Sequence, residues 1–351
     1  MIKQTIEKIK PLDQKAMAAA EERQRNLTKP VGSLGRLEEV SIQIAGIFGD
    51  PMPKIKDKVI ITMAGDHGIA AAGVSAFPQE VTPQMVLNFL HGGAAINVLA
   101  GHVGARITFV DMGVAFEFEP HPSLVDKKIA WGTRNMLEGP AMTYEQAEAA
   151  VTAGIEVVTT EIEKGLDIVG TGDMGIGNTT PSAAIASVLT GEPPAKIAGR
   201  GTGINDVGFL RKIKAIETAL SVNYPDPKDG LDILAKVGGF EIGGLAGVIL
   251  GAAAHNKAVM VDGFISTAAA MVAVSIAPTV KSYLISAHRS QEYGHQLMLE
   301  WLGLEPIVDL NFRLGEGTGA ALGISIAEAA CKVLSEMATF GQAGVSNKEE
   351  L

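Results

Sequence analysis

Short continuous apolar runs recur along this chain, separated by stretches whose apolar positions return every three or four residues. Val59-Ile60-Ile61-Thr62-Met63, Ile107-Thr108-Phe109-Val110-Asp111, Leu166-Asp167-Ile168-Val169-Gly170, Val259-Met260-Val261-Asp262-Gly263-Phe264 and Tyr283-Leu284-Ile285-Ser286-Ala287-His288 read as strands. Near-continuous runs of this kind are covered on both faces, as in a parallel sheet. Helical patterns lie between them. Thr143 and Gln146 form a capping box ahead of Ala147, Val151, Ile155, Val158 and Ile162, which share one face. Thr82-Pro83 starts a helix that runs to about Leu90, and a second run reaches Leu99 beyond Gly92-Gly93. Further helices are predicted over Ser182 to Leu189, Val207 to Leu220, Leu245 to Ala254 and Ala320 to Met337, and others start at Ser266 and Ser290. Strands alternating with helices, with Gly and Asp at the strand ends, predict an α/β fold with right-handed crossovers.

The first 54 residues differ. Residues 1–25 read as one polar helix with Ile2, Ile6, Ile9 and Leu12 on a stripe. Pro30, Gly32 and Gly35 break the pattern, Ser33 is placed to cap the next helix, which runs to about Phe48, and Pro51 and Pro53 mark a linker.

Composition narrows the picture. The chain has 351 residues, 47% hydrophobic and 19% charged, enough for a large core and too apolar for disorder. A net charge of −10 argues against nucleic acid and anionic membranes as partners, so an anionic ligand must be held by local donors. The single cysteine, Cys331, excludes a disulfide framework and a zinc cluster. The apolar runs Gly243 to Ala254 and Ser266 to Val280 are shorter than a bilayer span, and residues 1–7 lack a signal-peptide core. A cytoplasmic location is expected.

Three stretches carry chemistry. Ala64-Gly65-Asp66-His67-Gly68 follows the first strand, where open α/β sheets bind ligands. Too few further ligands lie nearby for a metal, so hydrogen bonding within the loop is the expected job of Asp66 and His67. Thr171-Gly172-Asp173-Met174-Gly175-Ile176-Gly177-Asn178-Thr179-Thr180-Pro181 leads into a helix, and its unpaired amides suit a phosphate. The bland alternative is a glycine-rich turn with nothing bound. Its spacing matches neither a dinucleotide fingerprint nor a Walker loop, which disfavours a dehydrogenase. Downstream, Arg200 sits among glycines, and Arg211, Lys212 and Lys214 share a helix on which most lysines are expected to be solvated. Finally, Arg313-Leu314-Gly315-Glu316-Gly317-Thr318-Gly319-Ala320 sets one carboxylate among three glycines. Glu316 either favours the dipole of the helix that follows or projects into a cleft as a general base.

Together with Leu27-Thr28-Lys29-Pro30, Gly32 to Glu38, Lys236 to Phe240 and Asp262-Gly263-Phe264, these motifs resemble the nicotinate-nucleotide–dimethylbenzimidazole phosphoribosyltransferase family over essentially the whole chain. The resemblance implies transfer of ribose 5-phosphate from nicotinate mononucleotide to 5,6-dimethylbenzimidazole, giving α-ribazole 5′-phosphate and nicotinate, in cobalamin biosynthesis. It implies a homodimer, no metal and no cofactor. It also implies a Rossmann-like α/β domain over residues 55–330 with helices on both faces, and a small helical domain from residues 1–54 and 331–351. Glu316 takes the family's catalytic base position, and phosphate and ribose contacts fall on Gly175, Ile176, Gly177, Lys212 and Ser290. Asn178, Thr179, Leu314, Gly315 and Asp262 complete the expected substrate site, with Asp173 as the carboxylate beside the ribose. Asp173 stands where some members carry Glu, and Phe77 where some have a small polar residue beside the aromatic base. The choice of acceptor therefore stays open among benzimidazoles, purines and phenols, as does a nucleotide-binding regulator without turnover.

Overall fold

The computed structural model describes residues 1–346; the expected contribution of 347–351 to the helical domain lies outside the described residues. Six parallel strands form one sheet: β1 (Lys58–Gly65), β2 (Arg106–Gly113), β3 (Leu124–Asp126), β4 (Ile168–Met174), β5 (Ala258–Val261) and β6 (Leu284–Ser286). Their order is β3-β2-β1-β4-β5-β6, so the chain reverses its direction of travel across the sheet between β1 and β4. A crevice opens at the carboxyl ends of the strands at such a switch point. Register brings the two strands to the same height there, with Met63 opposite Asp173 and Ala64 opposite Met174.

Helices cover both faces. In chain order they are α1 (Ile2–Ile6), α2 (Gln14–Asn26), α3 (Arg36–Phe48), α4 (Val81–Leu90), α5 (Ala95–Val103), α6 (Tyr144–Glu163), α7 (Thr179–Thr190) and α8 (Pro194–Ile197). There follow α9 (Asp206–Asn223), α10 (Gly230–Val237), α11 (Phe240–Ala254), α12 (Phe264–Ile276), α13 (His295–Leu302), α14 (Thr318–Glu336) and α15 (Phe340–Ala343). Side chains alternate across β1, so Met63 meets α11 at Gly244 while Ile60 and Thr62 face the turn before α14. Helices α6 and α11 touch backbone to backbone: a Cβ on Gly154 would lie 1.9 Å from the Gly244 carbonyl. That approach leaves no room for a Cβ at this crossing.

The amino-terminal helices α2 and α3 pack with the end of α14 around Ala20, Ala45 and Leu334. Arg23 ties them by donating to the carbonyls of Leu334 and Met337. Two helical stretches, 81–103 and Thr318–Glu336, are long and apolar enough to cross a bilayer. The first is interrupted at Gly92-Gly93, and the second packs between the sheet and α3.

Several boundaries differ from the sequence expectation for identifiable reasons. The first helix is two, because Pro11 stops the pattern and Asp13 accepts from the amides of Lys15 and Ala16 to start α2. Gly35, not Ser33, is the N-cap of α3. Thr82-Pro83 lies within the first turn of α4, whose N-cap is Glu80. Strand β4 extends to Met174, which places Asp173 on the strand rather than in the loop. Helix α11 begins at Phe240, five residues early, because Gly238 and Gly239 end one helix and open the next. Ser290 precedes α13 by five residues and does not cap it. Strand β3 and helix α10 are too short for periodicity to reveal.

Candidate active site

A cavity of about 870 Å³ lies over the switch point, walled by the segments that follow β4, β5 and β6 and by α4 and α5. One side is acidic. Gly315, Glu316 and Gly317 have φ of 86°, 63° and 94°, three successive left-handed residues. For a residue with a Cβ this conformation costs roughly 1–2 kcal/mol, and it persists only when the surroundings impose it. Here they do. Glu316 N–H donates to the Asp173 carbonyl (3.2 Å), and Thr62 Oγ1 donates to the Glu316 carbonyl (2.8 Å). The next amides, of Gly317 and Ala320, donate to the Asp262 carboxylate at 3.2 and 2.8 Å.

The Glu316 carboxylate faces the cavity and is 4% exposed as a residue. Its Oε2 accepts from the Ile96 amide at 3.3 Å. The helix dipole it favours is therefore that of α5, not of the helix that follows it in sequence. Burial raises the Glu316 pKa, the Ile96 amide opposes the shift and the Asp262 charge adds to it. Asp173, also on the wall, is held well above the usual carboxylate range by burial and by the nearby Asp262, Glu241 and Glu316 carboxylates. The bond that Asn178 Nδ2 donates to Asp173 Oδ2 (2.9 Å) offsets part of this.

The other side is a donor surface. After β4 the chain turns through Gly175–Asn178, closed by Asn178 N–H on the Gly175 carbonyl (3.0 Å), and enters α7. The amides of Gly177 and Thr179 have no protein partner among the described residues. Ile176 does not join them, because its amide donates to Thr82 Oγ1 at 3.1 Å. The hydroxyl expected to cap a helix instead holds this turn.

Lys212, which the local pattern alone left among solvated helical lysines and the resemblance singled out, is fully buried. Its Nζ donates to Thr179 Oγ1 (2.7 Å) and to the Gly199 carbonyl (3.1 Å), behind the start of α7. Burial lowers its pKa to about 8, with the Glu292 charge working the other way. Ser290 completes this wall, its Oγ accepting from the Glu292 amide. Phe77 and Leu314, 53% and 58% exposed, stand at the mouth.

Of the residues predicted from sequence, Asp173, Gly175, Ile176, Asn178, Thr179, Ser290, Leu314, Gly315, Glu316 and Phe77 line the cavity. Gly177 and Lys212 lie just behind it, and Asp262 is 0% exposed, outside the lining, with its carboxylate on the Gly317 and Ala320 amides. Thr62, Thr82, Glu241 and His288 escaped the sequence reading. The signal for Glu241 was present, since it is an acid inside the glycine-rich run 238–244, the same oddity that singled out Glu316. Among the described residues no group of His, Cys, Asp and Glu is arranged to hold a metal ion.

Comparison with known proteins shows the family. A family model described as Phosphoribosyltransferase matches residues 9–345. The nicotinate-nucleotide–dimethylbenzimidazole phosphoribosyltransferase of Roseiflexus sp. (strain RS-1) is 58% identical over 350 residues, spanning 100% of this chain and 99% of that protein. The protein of the same name from Chloroflexus aurantiacus is 57% identical over 348 residues, 99% of each. The crystal structure of the Thermus thermophilus enzyme superposes with a TM-score of 0.92 at 43% identity, covering 96% of this chain and 100% of that one. With family model, full-length relatives and fold in agreement, this chain belongs to the nicotinate-nucleotide–dimethylbenzimidazole phosphoribosyltransferase family.

Proposed function

We propose that this enzyme moves the ribose 5-phosphate of nicotinate mononucleotide to 5,6-dimethylbenzimidazole, with inversion at the anomeric carbon, releasing nicotinate. The observation that carries the reading is one cavity with a strained, buried carboxylate on one wall and, at and just behind another, helix-terminal amides without a protein partner among the described residues. The amides of Gly177 and Thr179, backed by Lys212, take the phosphate. The ribose then lies between the turn before α7 and Asp173.

The chemistry asks for little more. Nicotinate leaves its pyridinium as a neutral ring, so the C1′–N bond breaks without a proton donor. One benzimidazole nitrogen attacks C1′ with its lone pair while the other ring nitrogen gives its proton to Glu316. General-base help of this kind is typically worth ~10²–10⁴-fold. The raised pKa of Glu316 suits the role, because it strengthens the base near neutral pH. Asp173 is protonated more readily than an ordinary carboxyl until a cation arrives. The donor's pyridinium favours its ionised form, and the anion then stabilises positive charge developing on the sugar.

Exposed apolar side chains at the mouth, Phe77 and Leu314, support a flat aromatic acceptor without selecting one, so another benzimidazole, a purine or a phenol is the alternative acceptor. We retain the homodimer in this proposal, supported by the exposed apolar side chains Leu87 and Val98 on the helical stretch 81–103. The helical domain of 1–54 and 331–346 and a cytoplasmic location belong to the same proposal. Mass detection of ribotides formed from nicotinate mononucleotide and an acceptor panel tests it. Dimethylbenzimidazole ribotide is expected to dominate in the wild type and to fall away in Glu316→Gln. Equal product from both proteins would remove the base, and no product from any acceptor would leave a non-catalytic nucleotide binder.

A further inference from the structure

The motif Ala64–Gly68 adjoins the cavity, yet none of its side chains lines the wall. Its histidine reaches away from the loop. His67 Nε2 donates to Glu241 Oε1 at 2.8 Å across to the first turn of α11, and the two residues are 1% and 0% exposed. Three residues without side chains enclose the pair. A Cβ on Gly239 would lie 2.4 Å from His67 Cε1, one on Gly175 3.1 Å from His67 Nε2, and one on Gly65 3.0 Å from Glu241 Oε2. The same Cβ on Gly175 would lie 2.4 Å from the Gly65 carbonyl, so the ring, the β1 loop and the turn before α7 meet at one point.

Gly175 is the residue on which that turn closes, since its carbonyl accepts from Asn178 N–H. One residue later, Ile176 is pinned by Thr82. The first two residues of the turn are thus held, Gly175 by close packing against the pair and Ile176 by its hydrogen bond to α4, while the amides of Gly177 and Thr179 stay open. A buried ion pair seldom adds stability over apolar packing, but breaking one leaves an uncompensated charge, so it resists displacement. Burial works against a charge on His67, yet the Glu241 charge and hydrogen bond, with Asp66, outweigh it and raise the imidazole pKa.

We propose that His67 and Glu241 are positioning residues for the donor's phosphate, holding Gly175 at the height from which the Gly177 and Thr179 amides meet it. This rests on the reading that the phosphate lies over the start of α7. The test is steady-state kinetics of His67→Gln, Glu241→Gln and the double variant, using nicotinate mononucleotide and the phosphate-free riboside as donors. The wild type is expected to prefer the mononucleotide. In each single variant the ratio of kcat/KM for the two donors should fall roughly tenfold or more, mainly through the KM of the mononucleotide, the scale of a hydrogen bond to a charged group. The double variant should lose no more than the worse single one, because both changes break the same pair. Singles that retain the preference, or that lose equally on both donors, overturn the inference. A wild type without any preference overturns the phosphate reading instead, so the two failures are separable. Should the variants fail to fold, the wild-type His67 Nε2–H resonance decides. It should move on adding mononucleotide and stay in place with riboside, and an unmoved signal with both contradicts the role.

Discussion

Gly315–Gly317 ahead of α14 and Gly175–Asn178 ahead of α7 are glycine-rich turns on walls of one cavity, each leading into a helix whose first turn is buried. They differ in what happens to the helix-terminal amides. Before α14 the Asp262 carboxylate takes those of Gly317 and Ala320, so no ligand anion has a place there, and the backbone instead presents an acid. Before α7 no carboxylate takes the amides of Gly177 and Thr179, and the Lys212 ammonium donates to Thr179 Oγ1 beside them. Glycine content therefore does not define a phosphate loop. What the first helical turn is already bonded to decides whether it can bind an anion.

The comparison breaks most visibly at its two charged groups. Glu316→Gln should lower kcat by roughly 10²–10⁴-fold while leaving the mononucleotide KM nearly unchanged, because a general base acts in the transition state. Stopped assays with saturating donor measure this, and a raised KM at normal kcat would assign the carboxylate to binding. Lys212→Met should do the reverse, raising the mononucleotide KM by roughly 10–100-fold with a smaller change in kcat. Loss of activity on the phosphate-free riboside to the same degree would contradict a phosphate role.

The pH profile separates the two turns without mutation. Glu316 must be ionised to accept a proton and its pKa is raised by burial, so kcat/KM should fall on the acid side at a pH above that of an ordinary glutamate. Lys212 loses its positive charge as pH rises through about 8, so the mononucleotide KM should climb above that pH while the riboside KM does not. An alkaline limb common to both donors would point elsewhere. The smallest effects concern strain. Glu316→Asn puts a residue tolerant of positive φ into the turn and should raise stability by roughly 0.5–1 kcal/mol while turnover is lost. Gly177→Ala, at φ 91°, should lower stability by roughly 1–2 kcal/mol. Thermal melts compare the pair, and a destabilised Glu316→Asn would deny the stored strain.

Much of the fold was legible in the sequence because both-face burial leaves continuous apolar runs, as at Val59 to Met63, and because Thr143 and Gln146 spell a capping box. Short elements were not, since three residues at Leu124–Asp126 carry no period. Within the site, Glu316 stood out because an acid among glycines is a poor turn former. On local pattern Lys212 did not, because a helical lysine reads as solvated until the loop 199–203 is seen to cover it, and only the resemblance singled it out. Thr82 was legible as a hydroxyl at a helix start, but its partner, the Ile176 amide 94 residues away, depends on how β1 and β4 pair. Contacts set by sheet register leave no local trace.

The most direct measurement is a crystal structure of Glu316→Gln soaked with nicotinate mononucleotide and dimethylbenzimidazole, the substitution being there to stall the transfer. Phosphate oxygens are expected within hydrogen-bond distance of the Gly177 and Thr179 amides, with the side chain of residue 316 on a benzimidazole ring nitrogen. A phosphate seated away from the start of α7, or a heterocycle out of reach of residue 316, would contradict the division of work between the two turns.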